Sequence, residues 1–418
     1  MPFRTECTRR VGSAPRHLAA AMALAAAMAL AAGVAACGPS DAPDGAAEVV
    51  VRDSAGVRIV ENPAGPVDTV PVGEPLLTIG HEGDPRYEFA RVVFVGGLSD
   101  GRVVVADAGA SEVRTYTSDG TYEGATGGAG DGPGEYRFLN GAQTLPGDTV
   151  AVLDLRLRRV SYLGPDGQFA RSTSWTEAMG ERDESGTVCG FPGNDGVVAG
   201  RLLMRGWSCL TERGVEGPVS YVHTFRLWDP DTEVADTLGA VEYFQVWDRP
   251  DRDMRERFVL WRFLAGTMAT PWADGVFLPS HLAHELTVYG ADGALRMRVV
   301  DREPLRPVTQ AVRDTWTAQA DSADLALYDG IPFPDSMPAF FRGVRADDAF
   351  WARHYDIPGA TGEHWRVYGD DGVRRGVVAF PEGFELQSVS GGKAYGAVRD
   401  AFDVQRPRVY SVPPWPER

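Results

Sequence analysis

Gly101-Arg102-Val103-Val104-Val105-Ala106-Asp107, followed by Val113-Arg114-Thr115-Tyr116 and the turn Ser118-Asp119-Gly120, is the stretch that decides how this chain folds. A β-branched run ends at an aspartate, a short stretch of alternating apolar and polar residues follows, and an Asp-Gly pair closes it. Asp-Gly between β-rich runs is a strong hairpin signal, because both positions tolerate the backbone angles of a tight turn. The pattern returns 47 residues later: Val150, Val152 and Asp154 match Val103, Val105 and Asp107, and Val160, Asp166 and Gly167 match Val113, Asp119 and Gly120. Upstream of it, Gly80, Gly83, Asp84 and Glu88 match Gly127, Gly130, Asp131 and Glu135 in the same register. One structural unit is used twice.

The unit reads as four short strands. Residues 91–97 form the first, the turn Ser99-Asp100-Gly101 leads to the second at 102–106, and 112–117 is the third. The turn at Asp119-Gly120 leads to the fourth at 121–126. Four strands in roughly 45 residues is the size of a β-propeller blade. The third strand with its turn recurs down the chain as Val113–Tyr116, Val160–Leu163, Phe225–Trp228, Leu286–Tyr289, Trp365–Tyr368 and Arg408–Tyr410, which makes six copies. Spacing widens to roughly 60–80 residues in later copies, so loops are inserted there. The 3.6-type spacing of Val308, Val312 and Trp316 predicts a helical insertion near 306–321. Residues 254–266 read equally as strand or helix.

The sixth copy stops without a fourth strand. Residues 76–80 match the end of a fourth strand in the 47-residue register, and the expectation is that they pair with 408–412 and seal the ring, which removes exposed sheet edges. The sequence is therefore read as an all-β, six-bladed β-propeller spanning 76–418. Residues 171–272 are long enough to hold a seventh, degenerate unit. Residues 49–75, with a turn at Asp53-Ser54-Ala55-Gly56, read as an N-terminal extension carrying an extra hairpin.

The stretch 101–107, the strand after it, Asp119-Gly120, and Gly130-Asp131-Gly132-Pro133-Gly134-Glu135-Tyr136 together resemble the six-bladed NHL-type β-propellers found as bacterial envelope lipoproteins. The resemblance is specific over 76–170, weaker over 273–412 and poor over 171–272. It implies a fold; NHL propellers in general are binding scaffolds, with a minority of enzymes.

The N-terminal residues point to the same compartment. Arg4, Arg9, Arg10, Arg16 and His17 precede an apolar run, 18–36, made only of Ala, Met, Leu, Val and Gly, which is the layout of a secretory signal. The run ends Val34-Ala35-Ala36-Cys37-Gly38. Small residues before a cysteine resemble a lipobox, which implies removal of 1–36, acylation of Cys37, and a flexible tether over 37–48. An ordinary signal with an incidental cysteine, or a retained membrane helix, are the alternatives. Gly38 in place of Asp after the cysteine implies the outer membrane. Multiple acyl chains give stable anchoring through burial of many methylenes.

Charge and cysteines narrow the partners. The formal charge is −17, and four arginines against one glutamate in 1–36 leave −20 beyond residue 36. So acidic a chain repels phosphate backbones, which disfavours nucleic acid as a partner. Apart from Cys7 and Cys37, only Cys189 and Cys209 remain, a reasonable disulfide pair in an oxidising compartment, with two free buried thiols as the alternative.

No nucleophile elbow, phosphate loop or zincin motif is present. His281 and His284 lie three apart in a strand-like context, where such positions face opposite sides, so a solvated turn is the plain reading. The glycine-rich loop 130–136 joins two strands, which suits a crossing between sheets more than a phosphate cradle. Asp107, Asp154, Asp356 and Asp400 fall at or just past predicted second strands, whose ends gather on one face of a propeller. They form either a carboxylate ring for calcium, as in propeller lactonases, or a set of side chains bonding the following turn. Arg156, Arg158 and Arg159, with His281, His284, His354 and His364, face that end too and would suit an anionic ligand, or are ordinary loop charges. The sequence thus points to a lipid-anchored envelope binding or scaffolding module, held at the membrane by Cys37 and facing an envelope protein or a small ligand, with no cofactor expected. A metal-dependent propeller hydrolase or lyase of the lactonase type is the alternative, and whether the chain is an enzyme stays open. Cys37→Ser should abolish incorporation of labelled palmitate and release the protein from the membrane fraction; labelling that persists in the variant would contradict the lipobox reading.

Overall fold

The computed structural model describes residues 48–415, apart from 82, 176–192, 208–214, 254–255, 264–265, 267 and 400–403. Cys37, Cys189, Cys209 and Asp400 lie outside the described residues. Those residues form six sheets. Sheet 1 comprises Val92–Gly97, Val103–Asp107, Glu112–Tyr116 and Tyr122–Gly127; sheet 2 comprises Leu139–Leu145, Thr149–Asp154, Arg159–Leu163 and Phe169–Ser174. Sheet 3 comprises Gly193–Val198, Arg201–Trp207, Gly217–Trp228, Ala235–Asp248 and Phe258–Leu260; the core of sheet 4 is Thr270–Trp272, Gly275–Pro279, Glu285–Gly290 and Leu295–Asp301. Sheet 5 is built from Phe340–Arg345, Ala349–His354, His364–Gly369 and Arg374–Ala379, and sheet 6 from Phe384–Ser390, Lys393–Arg399 and Gln405–Ser411. All six copies of the repeated signature are third strands of their sheets.

The first strands touch in a cycle, each meeting the next, with Phe384–Ser390 of sheet 6 returning to Val92–Gly97 of sheet 1. This is the arrangement of a β-propeller. Its sequence logic shows in burial. The second strand of sheet 1, Val103–Asp107, is buried at every position, because a sheet lies against each of its faces. An unbroken Val-Val-Val-Ala run therefore suits it better than alternation would. The outer strand Tyr122–Gly127 alternates half-buried and exposed. The Asp-Gly turns take the left-handed backbone that glycine tolerates, with φ of 86° at Gly120 and 74° at Gly167.

Six apolar cores each belong to two sheets. Phe94, Val104 and Leu139 join sheets 1 and 2; Leu153, Val197 and Trp228 join 2 and 3; Leu203, Phe225 and Val276 join 3 and 4. Phe277, Phe340 and Tyr368 join 4 and 5; Trp351, Trp365, Phe384 and Tyr410 join 5 and 6; Val95, Tyr116, Tyr395 and Val409 join 6 and 1.

The N-terminal segment threads the outer edges of three consecutive sheets. The hairpin Val50–Ser54 and Val57–Asn62 lies parallel to Leu295–Asp301 of sheet 4, with Arg58 opposite Met297. Thr69–Pro71 lies parallel to Arg374–Ala379 of sheet 5. Leu77–Thr78 then pairs antiparallel with sheet 6, Leu77 opposite Val409 and Thr78 opposite Arg408. Leu76 N–H donates to Val409 O at 2.7 Å and Ile79 N–H to Pro407 O at 2.9 Å. Residues 76–80 thus meet the strand that the register assigned to them, while the 49–75 extension is woven into sheets 4 and 5 and is not a separate piece.

Residues 171–272 hold no additional sheet among their described residues. Their length goes into one long hairpin, Gly217–Trp228 with Ala235–Asp248, and Phe258–Leu260, the described strand within the ambiguous 254–266 stretch, pairs with its outer end. The helical insertion comprises α1, Gln310–Gln319, capped by Thr309, and α2, Ser322–Leu327, capped by Asp321 whose carboxylate accepts Ala323 and Asp324 N–H at 2.8 Å. It begins four residues later than the apolar spacing placed it and extends into a second helix, because Asp321 restarts the backbone after α1. Val312 and Trp316 pack on Phe263, Val308 and Met337, as their spacing implied.

Ile79 is 1% exposed within the core joining sheets 6 and 1. Ile79→Ala should cost about 2–5 kcal/mol in urea unfolding, a core-sized loss from a residue beside a two-residue strand. A loss below about 1 kcal/mol would show that the seal contributes little.

Candidate functional site: the central channel and its mouth

The first strands of all six sheets wall a central cavity of about 380 Å³. They are stitched to one another across the sheet boundaries. Gln143 Nε2 donates to Val197 O at 3.0 Å and its Oε1 accepts Val197 N–H at 2.9 Å, joining sheets 2 and 3. Ser388 Oγ donates to Val95 O at 2.7 Å, joining sheets 6 and 1, and Arg342 Nη2 donates to Leu386 O, joining sheets 5 and 6. The lining mixes apolar residues with polar ones, among them Asn140, Gln143, Thr144, Asn194, Asp195, Arg342, Arg345 and Gln387.

Several of these groups are held without a protein partner. Thr144 Oγ1, Gln387 Oε1 and Asp195 Oδ2 are buried and make no hydrogen bond within the protein. Asp195 sits at a bulge between Asn194 and Gly196, which lets it leave the pairing ladder. Its other oxygen pairs with Arg205 at 3.2 Å, and its side chain is 12% exposed. Burial pushes the Asp195 carboxyl above the usual range, and Arg205 opposes that shift. Arg342, on the wall formed by sheet 5, is 24% exposed and lies 3.9 Å from Glu363. Burial pulls its guanidinium down from the ordinary arginine value, with Glu363 opposing.

The aspartates at the ends of the second strands serve the backbone. Asp107 accepts Ala90 N–H at 3.1 Å, Arg91 N–H at 2.9 Å, Gly109 N–H at 2.9 Å and Ala110 N–H at 3.4 Å. Asp154 accepts Arg137, Phe138, Arg156 and Leu157 N–H at 2.6, 3.2, 2.9 and 2.8 Å. The four donors are the same positions displaced by 47 residues. Each carboxylate ties the approach to the first strand onto the turn after the second. Asp356 is instead paired with Arg353 at 2.5 Å. Calcium requires six or more oxygens, and the oxygens of Asp107 and Asp154 are filled by N–H groups, so these residues do not fit that ion. Among the described residues no three His, Cys, Asp or Glu side chains gather as a metal site.

Of the basic triplet, Arg159 has its guanidinium committed to backbone carbonyls. Arg159 donates to the carbonyls of Asp131 at 3.1 Å, Gly132 at 2.8 Å and Glu135 at 2.5 Å, and so holds the glycine-rich loop. Arg156 supplies one backbone N–H to Asp154, and Arg158 sits at φ 52° with its carbonyl accepting Trp175 N–H. The loop 130–136 crosses from sheet 1 to sheet 2, with Glu135 Oε2 accepting Gly132 N–H at 2.8 Å and lying where a side chain at Gly130 would sit.

Two of the histidines, His284 and His354, come together. His284 and His354 flank Phe340, with ring centroids 5.3 and 6.0 Å from it and 6.5 Å from each other. His284 Nδ1 is 3.0 Å from Glu303 O, a pure acceptor, so that nitrogen carries the proton and Nε2 keeps its lone pair. His354 Nε2 is buried and has no protein partner. His281 lines a second cavity of about 220 Å³, mostly apolar, between Trp261, Phe263 and the Pro334–Pro338 stretch that follows the helices. Burial lowers all three imidazoles, His281 to about 4, so they are neutral at pH 7 and add no positive charge for an anion. Arg262 fixes the insertion over this face: its guanidinium lies 4.8, 4.5 and 4.3 Å from the rings of Trp316, Tyr328 and Phe333, and donates to Tyr328 O at 2.9 Å. Among the described residues no helix is long and apolar enough to cross a membrane.

No family model and no curated protein matches this chain. Among solved structures it is similar to an exported protein of Bacteroides fragilis, at 10% identity over 85% of this chain and 100% of that one, with a TM-score of 0.41. It is also similar to a member of the DUF4221 family from Bacteroides vulgatus, at 10% identity over 81% and 97% of the two chains, TM-score 0.47. A third is a catalytically inactive virginiamycin B lyase from Staphylococcus aureus, at 11% identity over 77% and 80%, TM-score 0.34.

Two outcomes are expected. Asp154→Ala strands four backbone donors, each worth roughly 1–3 kcal/mol when buried, and should destabilise by about 3 kcal/mol or more in urea unfolding, with Asp154→Asn recovering part. A loss under about 1 kcal/mol would free the carboxylate for another role. Because the folded-state value of His281 lies below its unfolded value of 6.5, at about 4, its contribution is whole above pH 6.5 and is lost as pH falls towards 4. That is about 3 kcal/mol at 1.36 kcal/mol per pH unit, and His281→Leu should flatten the pH–stability curve in that window; an unchanged slope would contradict it.

Proposed function

We propose that this chain is a lipid-anchored bacterial envelope β-propeller of the NHL-type lipoprotein kind, acting as a binding module that takes a small polar ligand into its central channel. The observation that carries this reading is the contrast between two sets of polar groups. The repeat aspartates Asp107 and Asp154 are saturated by backbone N–H groups, whereas Asp195 Oδ2, Thr144 Oγ1 and Gln387 Oε1 on the channel wall are left for something else to satisfy. A buried polar atom without a partner costs roughly 1–3 kcal/mol, and a ligand that supplies donors recovers that cost only when it binds. In this reading acylated Cys37 holds the chain at a membrane, and Gly38 favours the outer membrane.

A second reading is a hydrolase or lyase with its site at the channel mouth. It is favoured by His284 and His354, two neutral imidazoles on either side of Phe340 with His354 Nε2 unpartnered, since a neutral imidazole can act as a general base.

A ligand at a hundred times its dissociation constant stabilises the folded state by about 2.7 kcal/mol. Thermal unfolding of the detergent-solubilised full chain against a small-molecule panel should therefore reveal a stabilising polar ligand that is recovered unchanged. Asn140→Trp, which fills the channel, should abolish that shift. Failure of every ligand class, or shifts indifferent to Asn140→Trp, would overturn the binding reading. Conversion of the ligand, lost in His354→Ala, would establish the enzyme.

A further inference from the structure

The channel carries opposite charges on walls that do not touch. Asp195 stands on the first strand of sheet 3 and Arg342 on the first strand of sheet 5, with the first strand of sheet 4 between them. Neither is the other's ion-pair partner. Asp195 uses one oxygen on Arg205 at 3.2 Å and has the other unpartnered. A carboxylate offers about four lone-pair sites, so accepting capacity remains on this lining residue. Arg342 spends one nitrogen on Leu386 O, lies 3.9 Å from Glu363 and stacks at 5.2 Å on Trp365. A guanidinium has five N–H donors, so donors remain on this lining residue. The third charged residue of the lining, Arg345, is engaged by Asp370 at 2.6 Å and by the carbonyls of Ala349 and Asp347. Burial disfavours the charged form of both, raising the Asp195 carboxyl and lowering the Arg342 guanidinium, so each gains from an opposite charge brought in from outside.

Resting on the reading of the channel as a ligand site, we infer that its ligand is a short peptide with free ends, its ammonium on Asp195 and its carboxylate on Arg342. A free amino acid carries both charges on one carbon, whereas a peptide with free ends separates them. Two or three residues extend roughly 7–11 Å, at 3.3–3.6 Å each, and their amides match the uncharged donors and acceptors between the walls, Asn140, Gln143, Thr144 and Gln387. The lining carries side chains of both charge signs, which suits a ligand that does the same.

The test is calorimetric titration of the detergent-solubilised full chain with triglycine, N-acetyl-triglycine, triglycine amide, glycine and a neutral disaccharide. Triglycine is expected to bind at least tenfold tighter than either blocked form and than glycine. Asp195→Asn should erase the penalty of acetylation and leave that of amidation; Arg342→Gln should do the reverse. The comparison of blocked with free peptide on the unaltered protein needs no variant, so it stands even where a substitution fails to fold. Equal affinity for free and blocked peptides, or no peptide binding, overturns the inference. Binding of the disaccharide alone overturns it while leaving the channel a ligand site, and a channel that takes none of the five and no member of the broader panel, holding water only, overturns both.

Discussion

Everything in this molecule depends on sheets that cannot bury their own faces. Each sheet has apolar residues on both sides, visible in the fully buried second strand Val103–Asp107, and each side is covered only by a neighbouring sheet. Such a stack has no natural end until its last member meets its first. The ring is completed when Leu77–Thr78 joins Gln405–Ser411 and the core containing Ile79, Tyr116, Tyr395 and Val409 forms between sheets 6 and 1. Residues more than 300 positions apart in sequence thereby become neighbours, and the first strands are held around a common axis.

That constraint explains how polar groups can stand in the wall of a central channel. The first strand of each sheet is gripped on its outer side by the second strand and laterally by the first strands beside it, through Gln143, Ser388 and Arg342. The side chains that point inward therefore do not have to satisfy one another. The same rigidity holds on the mouth face, where Asp107 and Asp154 lock turns to strand starts and Arg262 pins the helical insertion with three aromatic rings.

The fold was legible in the sequence because the repeat writes its own turn chemistry. The alternating third strand, followed in five copies by an Asp-Gly or Asp-Thr turn, located third strands in all six sheets, including the strand ending at Tyr410, and the 47-residue register found the sealing strand at Leu77. The reading failed where pairing overrode pattern. Residues 217–248 hide in one long hairpin with two bulges, so their spacing imitates extra length without extra sheets. The hairpin at Val50–Asn62 could not be placed because it joins sheet 4 in parallel, a pairing that no local signal announces. The site was less legible still. Attention fell on residues at strand ends, of which Asp107, Asp154 and Arg159 turned out to serve the backbone and Asp356 an arginine. The channel residues Asp195, Arg342 and Gln387 lie within first strands, and only the ring brings them to one cavity. The available signal was the run of polar residues in strands such as Leu139–Leu145, where a strand covered on both faces would be apolar throughout.

The most direct measurement of the central claim is amide hydrogen exchange at Leu76 and Ile79, whose N–H groups are given to Val409 and Pro407. If the N-terminal strand seals the ring, both amides exchange only through global unfolding, as slowly as those of Gln405–Ser411. Exchange at Leu76 and Ile79 as fast as in an exposed loop, while Gln405–Ser411 stays protected, would show that the ring stands open at that point and that its channel is not built as described.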